Sequence, residues 1–144
     1  MQDNLGAFNR ATGRELEDDS GKPRYLRYQR DLIKPHCGRT VLELGAGTGE
    51  FASHLTGLDR YILTDVDSGA VDYMKQRFAD RPEVETQVLD LDGGDSGLDK
   101  PVDTVIAINV LEHIEDDVAA LKSLSKCVVP GGTIVLWVPG YQQL

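Results

Sequence analysis

The sequence has only two cysteines and one tryptophan, and aromatic residues make up 6% of it. Cys37 and Cys127 stand far apart, in neither a CxxC pair nor a metal-ligand cluster. That pattern excludes a disulfide framework and a structural zinc site, assigns no metal, and fits a reduced, cytoplasmic compartment. Long apolar runs are missing too, since none approaches the roughly 18 residues that a membrane span needs. The opening segment, residues 1–21, is polar and has no apolar signal-peptide core. Positive charge is scarce: 15 Lys and Arg stand against 24 Asp and Glu, for a net charge of −9. A nucleic-acid backbone requires a basic face that displaces counterions, so this balance argues against such a partner. One local basic patch, Lys22, Arg24, Arg27 and Arg30, reads as the solvated side of a helix, with capture of an anionic substrate as the alternative.

What is present fits one globular domain. The chain has 144 residues, 40% of them hydrophobic and 27% charged, enough to bury a core. Residues 1–22 mix Gly, Asn, Asp and Glu without periodicity, which predicts a mobile arm ahead of a core over residues 23–144. Over residues 23–36, Tyr25, Tyr28, Leu32 and His36 recur at helical spacing. Apolar runs at 40–44, 61–66, 84–89, 103–109 and 133–138 then predict five strands, several nearly continuous in β-branched and aliphatic residues. Between them, Phe51, Ala52 and Leu55 predict a short helix. Val71, Met74 and Phe78 define a helical face over 68–78, and Val118, Leu121, Leu124 and Val128 another over 116–128. The glycine-rich, acidic stretch 92–101 reads as a loop. This alternation predicts an α/β fold, a Rossmann-like, doubly wound, mostly parallel sheet with helices on both faces.

From Val41 to Gly49 the chain reads as a strand running into a glycine-rich turn, VLELGAGTG. Glycine accepts positive φ there and lets a ligand approach the backbone closely. Sixteen residues beyond Gly49, Asp65 ends the second strand. An acid at the carboxyl end of a strand in such a sheet can take two ribose hydroxyls, so the pair specifies a nucleoside-bearing ligand. A dinucleotide fingerprint places its third glycine five positions after the first; here Gly45, Gly47 and Gly49 place it at four. Glu43 within the strand would also sit poorly beside a pyrophosphate, and suits a ligand whose end carries an ammonium group, reached directly or through water.

These residues, together with VLDLDG around Asp90, NVLEHIEDD at 109–117 and VVPGG before TIVLWVP, resemble the motifs of class I S-adenosylmethionine-dependent methyltransferases. The resemblance covers residues 25–144 and implies S-adenosylmethionine as cofactor, with S-adenosylhomocysteine as product. It implies that Gly45, with the neighbouring backbone of Ala46, Gly47 and Gly49, meets the methionine moiety, and that Asp65, with Val66 beside it, binds the ribose. It further implies that Asp90 takes the adenine amino group, that Leu91 offers a backbone N–H to the ring, and that Asn109 offers its carbonyl to the ammonium. The family fold adds a helix and two strands after the fifth, whereas this chain ends at Leu144. Strand five would then be an open apolar edge, so either the chain is cut short or another chain covers it, as in a homodimer.

The remaining polar residues each carry two readings. Asp67 precedes the Ser68 helix as its N-cap, with ribose contact as the alternative. Asp92 belongs to turn chemistry, and the acidic run Glu115-Asp116-Asp117 caps the next helix. Glu112 and His113 follow the fourth strand, where a methyl acceptor would approach. His113 either closes the pocket as a polar residue or acts as a general base, which in-line displacement requires only if the acceptor arrives protonated. Tyr25 and Tyr28 either roof the cofactor or pack on the sheet, and Trp137 is a packing residue of strand five. The expected activity is methyl transfer to a small-molecule acceptor. The rivals are a non-catalytic cofactor-binding module that depends on a partner and, against the glycine spacing, a nicotinamide-dependent oxidoreductase.

Overall fold

The computed structural model describes residues 22–93 and 96–140. Apart from Lys22, the arm expected over residues 1–22 lies outside them. Five strands form one sheet: β1 (Thr40–Leu44), β2 (Arg60–Asp65), β3 (Val84–Val88), β4 (Val102–Ile108) and β5 (Val128–Trp137). All pair in parallel, in the order β3-β2-β1-β4-β5. The central strands β1, β2 and β4 are buried along almost their whole length, because side chains on both faces meet covering layers. β1 pairs with β2 on one side and β4 on the other, so the strand order reverses there. Loops leaving the carboxyl ends of β1 and β4 diverge at such a point and leave a crevice between them.

Among the described residues three helices cover the faces: α1 (Lys22–Ile33), α2 (Ser68–Arg77) and α3 (Asp117–Ser125). Leu26 and Ile33 of α1, with Met74 of α2 and Phe78 beyond it, pack on Val41, Tyr61, Leu63 and Ile106. Leu124 of α3 packs on the opposite face with Leu42, Leu44, Ile62 and Val105. The α2 face holds as read, with Val71, Met74 and Phe78 all buried. Asp67 caps α2, its Oδ1 accepting from the N–H groups of Gly69 (2.7 Å) and Ala70 (3.2 Å). Asp116 caps α3 in the same way, accepting from Ala119 N–H at 2.9 Å.

Several expectations give way. α1 buries Leu26, Gln29 and Ile33, whereas Tyr25, Tyr28 and Leu32 are all close to half exposed or more. Both stripes have helical spacing, and the choice between them is made by what lies opposite. The helix ends at Ile33 because Pro35 disfavours helical geometry at Lys34, and a short 3-10 turn (Lys34–His36) follows. Val118 of α3 points to solvent, and the helix stops at Ser125 rather than continuing to Val128. β5 begins at Val128, five positions before the expected start. Five residue steps on β5, from Val128 to Thr133, match two on β4, from Val102 to Thr104. The surplus is taken up as a bulge at Pro130-Gly131-Gly132, where Gly131 has φ of 81°.

Candidate functional site

A cleft of about 950 Å³ opens at the point of strand reversal. It is lined by the ends of β1 and β2 (Leu44, Gly45, Asp65, Val66), by Leu89 to Asp92 after β3, and by Asn109, Val110 and His113 to Asp116 after β4. Its volume suits a nucleoside-sized ligand. Five carboxylates, Asp65, Asp90, Asp92, Glu115 and Asp116, lie on its walls.

The glycine loop builds the floor. Gly45, Gly47 and Gly49 all have positive φ (63°, 62° and 82°), which side-chain-bearing residues rarely adopt. At Gly45 a Cβ would also come within 2.7 Å of the Val110 side chain, so only glycine lets the loop after β4 close against it. A Cβ at Gly49 would overlap the Phe78 ring. Ala46, Gly47 and Gly49 lie behind the lining, their N–H groups engaged: Ala46 donates to Thr64 O (2.8 Å), Gly47 to Asp65 Oδ2 (2.9 Å) and Gly49 to Ala46 O (2.9 Å). The helix expected next is a single 3-10 turn (Ala52–His54), too short to present a helix N-terminus to a ligand.

Asp65 therefore has two partners that its sequence position does not announce. Its Oδ2 accepts from Gly47 N–H and its Oδ1 from Asp67 N–H at 3.0 Å, tying the loop and the start of α2 to the tip of β2. Each oxygen retains a further lone pair, and the residue lines the cleft, so the carboxylate can still accept two hydroxyl donors. Val66 lies beside it and is 68% exposed. Asp90 and Leu91 form the facing wall, and Asp90 Oδ1 accepts from Asp92 N–H (3.0 Å) in a turn. Asp92, read as turn chemistry, takes part in that turn and also lines the cleft.

Asn109 has φ of 54°, the left-handed geometry that Asn tolerates best among residues with a side chain. Its N–H donates to Trp137 O at 2.8 Å, which holds the turn after β4 at the rim of the cleft. His113 lines the cleft with its side chain 78% exposed, its Nε2 3.9 Å from Glu112 Oε1.

Glu43 does not line the cleft. Alternation along β1 sends its side chain to the face of Val41, where it is 3% exposed and accepts a hydrogen bond from the Tyr61 hydroxyl. Burial pushes its carboxyl up to about 7, partly offset by that hydrogen bond. The Tyr61 hydroxyl is held far above its usual range by burial and then by the Glu43 charge. Tyr25 and Tyr28 are likewise away from the cleft. They meet the Trp137 indole edge to face, at 6.3 and 6.4 Å between ring centres, and Trp137 Nε1 donates to Tyr25 Oη at 3.1 Å.

Sequence reasoning missed Leu89, Val110 and Ile114 as lining residues, and gave Glu115 and Asp116 only a capping role. Their one shared signal is position, in the connections that leave the carboxyl ends of β3 and β4. The residues present fit a nucleoside ligand: a close-approach glycine floor, one carboxylate with free lone pairs at the tip of β2, and a second wall bearing Asp90.

Comparison with known proteins agrees with that fit. A family model described as "Methyltransferase domain" matches residues 42–134. The squalestatin hexaketide synthase of a Phoma species is 36% identical over 118 residues, covering 73% of this chain and 4% of that protein. The crystal structure of the CurJ carbon methyltransferase has a TM-score of 0.73 at 27% identity, covering 87% of this chain and 38% of its own. The trans-methyltransferase CalH, solved in complex with S-adenosylhomocysteine, has a TM-score of 0.64 at 26% identity, covering 89% of this chain and 44% of its own. The chain thus spans less than half of each of these proteins. With the glycine loop, the acid at the tip of β2 and the cleft at the strand reversal all in place, the chain belongs to the methyltransferase domain family, in its S-adenosylmethionine-dependent class.

Proposed function

We propose that the cleft holds S-adenosylmethionine and that the domain passes its methyl group to a carbon of a small, polyketide-type acceptor. The observation that carries the binding half of this reading is Asp65, buried at the tip of β2 yet lining the cleft, with a lone pair left on each oxygen. The acceptor class is supported by two relatives, one named a hexaketide synthase and the other a carbon methyltransferase.

When bound, S-adenosylmethionine would supply an electrophilic methyl group, the electron pair of its carbon–sulfur bond staying on sulfur. The acceptor carbon supplies the pair for the new bond and gives up a proton. Gly45 and Asn109 set the floor and rim against which the reacting groups align, and positioning accounts for most of the barrier lowering in such a displacement. His113, which lines the cleft from the loop after β4, is the group that takes the proton.

Incubation with methyl-labelled cofactor and a β-ketoacyl thioester tests the whole reading. The expected product carries the label on the carbon between the two carbonyls, with one S-adenosylhomocysteine formed per methyl moved. Label on oxygen, or on an added amine, would overturn the carbon assignment. Tight cofactor binding without transfer would instead favour the alternative, a binding module that works through a partner. For Asp65→Ala, calorimetry is expected to show S-adenosylhomocysteine affinity lowered at least about tenfold, from loss of charge-assisted bonds to ligand and loop together. An unchanged affinity would remove the ribose from this position.

A further inference from the structure

We propose that Arg77 is a positioning residue of the glycine loop, its guanidinium holding the loop in the shape that receives the cofactor; this rests on the reading of the cleft above. A glycine loop that runs straight into an α-helix has its exit fixed by the helix's own hydrogen bonds. Here no such helix follows, and the chain passes through turns into the 3-10 turn at Ala52–His54. What holds the loop comes from the far end of α2. Arg77 Nη1 donates to Thr48 O at 2.9 Å and to Glu50 Oε1 at 3.1 Å. Glu50 Oε1 in turn lies 3.4 Å from Thr48 Oγ1.

Two neighbours complete the clamp. The Phe78 ring fills the space that a Cβ on Gly49 would need, and the guanidinium groups of Arg77 and Arg81 each lie 5.5 Å from its centre. Arg81 donates from Nη1 to Ala52 O and from Nη2 to Leu55 O, both at 2.9 Å, and so holds the turn beyond the loop. The start of α2 is tied to the same loop through Asp65, which accepts from Asp67 N–H and Gly47 N–H. One helix thus grips the loop from both of its ends. Arg77 is the member that can be changed without opening the core, since its side chain is 29% exposed.

Arg77→Met removes the donor and keeps most of the aliphatic stem, whereas Arg77→Lys restores a cationic donor on a similar reach. Three measurements decide: S-adenosylhomocysteine affinity by calorimetry, amide hydrogen exchange over residues 47–53 in the ligand-free protein, and the melting temperature. For Arg77→Met the expected results are affinity about fivefold weaker, loop exchange at least about threefold faster, and melting within about 2 °C of wild type. Arg77→Lys is expected to return affinity and exchange to within about twofold. Wild-type loop exchange in the Met variant would overturn the proposal. So would a Lys variant no better than the Met variant, or faster exchange spread across the whole sheet. If wild type binds and the Met variant binds equally well, the clamp alone falls. If wild type fails to bind, the cleft assignment falls and takes the cofactor role of the clamp with it.

Discussion

Replacing His113 by Gln is expected to slow methyl transfer about a hundredfold while leaving S-adenosylhomocysteine affinity within about twofold of wild type. The expectation follows from the acceptor proposed above. A carbon held between two carbonyls gives up a proton before or as it takes the methyl, and imidazole is the side chain best suited to accept one near neutral pH. Among the described residues His113 is the one imidazole that lines the cleft, and Glu112 Oε1 stands 3.9 Å from its Nε2. Glutamine keeps the polarity and much of the shape but cannot take up the proton. General bases contribute about 10² to 10⁴ in rate, and the lower end applies to a side chain that is 78% exposed. Single-turnover rates with the β-ketoacyl thioester check this. A rate within about threefold of wild type would return His113 to the role of a polar residue closing the pocket.

Glu43→Gln is expected to raise stability, and by more as the pH rises. The Glu43 carboxyl is buried, receives one hydrogen bond from Tyr61, and is pushed up to about 7 by burial. In the unfolded chain it ionises near 4.5. Between those values the unfolded chain has released the proton and the folded protein has not, so folding there must take up a proton and loses stability as pH rises. The loss is absent below about pH 4.5 and complete above about pH 7, and its full size is on the order of 3 kcal/mol. Glutamine accepts the same Tyr61 hydrogen bond and does not ionise. Urea denaturation of both proteins from pH 5 to 8.5 gives the difference directly, with the titrations of other groups cancelling. The Gln variant should gain on wild type by about 2.5 kcal/mol across that interval, since part of the loss is already incurred below pH 5. Parallel stability profiles would show that Glu43 ionises freely in the folded state.

The parts of the molecule legible in the sequence are those set by local chemistry. The glycine loop, the Asp67 cap and the position of Asp65 at the end of β2 all follow from short-range rules, and each stands where those rules put it. What stayed hidden depends on partners distant in the chain. Glu43 is a strand acid in the sequence. It becomes a core acid because β1 and β2 register Glu43 opposite Leu63, which brings Tyr61, two positions earlier, within reach of its carboxyl. α1 offers two stripes of helical spacing, and the tyrosine stripe gave way because Leu26 and Ile33 meet the sheet while the tyrosines meet one indole on β5. Asp92 comes from the loop after β3 and Val110 and Ile114 from the loop after β4, and only strand order makes them neighbours of one cleft. The longer β5 escaped notice because Pro130-Gly131-Gly132 reads as a turn, whereas the ladder with β4 absorbs it as a bulge.

Trp137 is the sequence's single tryptophan, so all indole fluorescence of this chain originates at one point. That point is joined to the cleft by one covalent step and one hydrogen bond: its own carbonyl receives the N–H of Asn109. Its indole N–H is engaged by Tyr25, and both Tyr25 and Tyr28 lie within about 6.5 Å, near enough to pass excitation to it. The contact between α1 and β5 therefore equips the domain with a built-in optical probe. Light emitted from that indole carries information about the Asn109 rim without any label having to be attached.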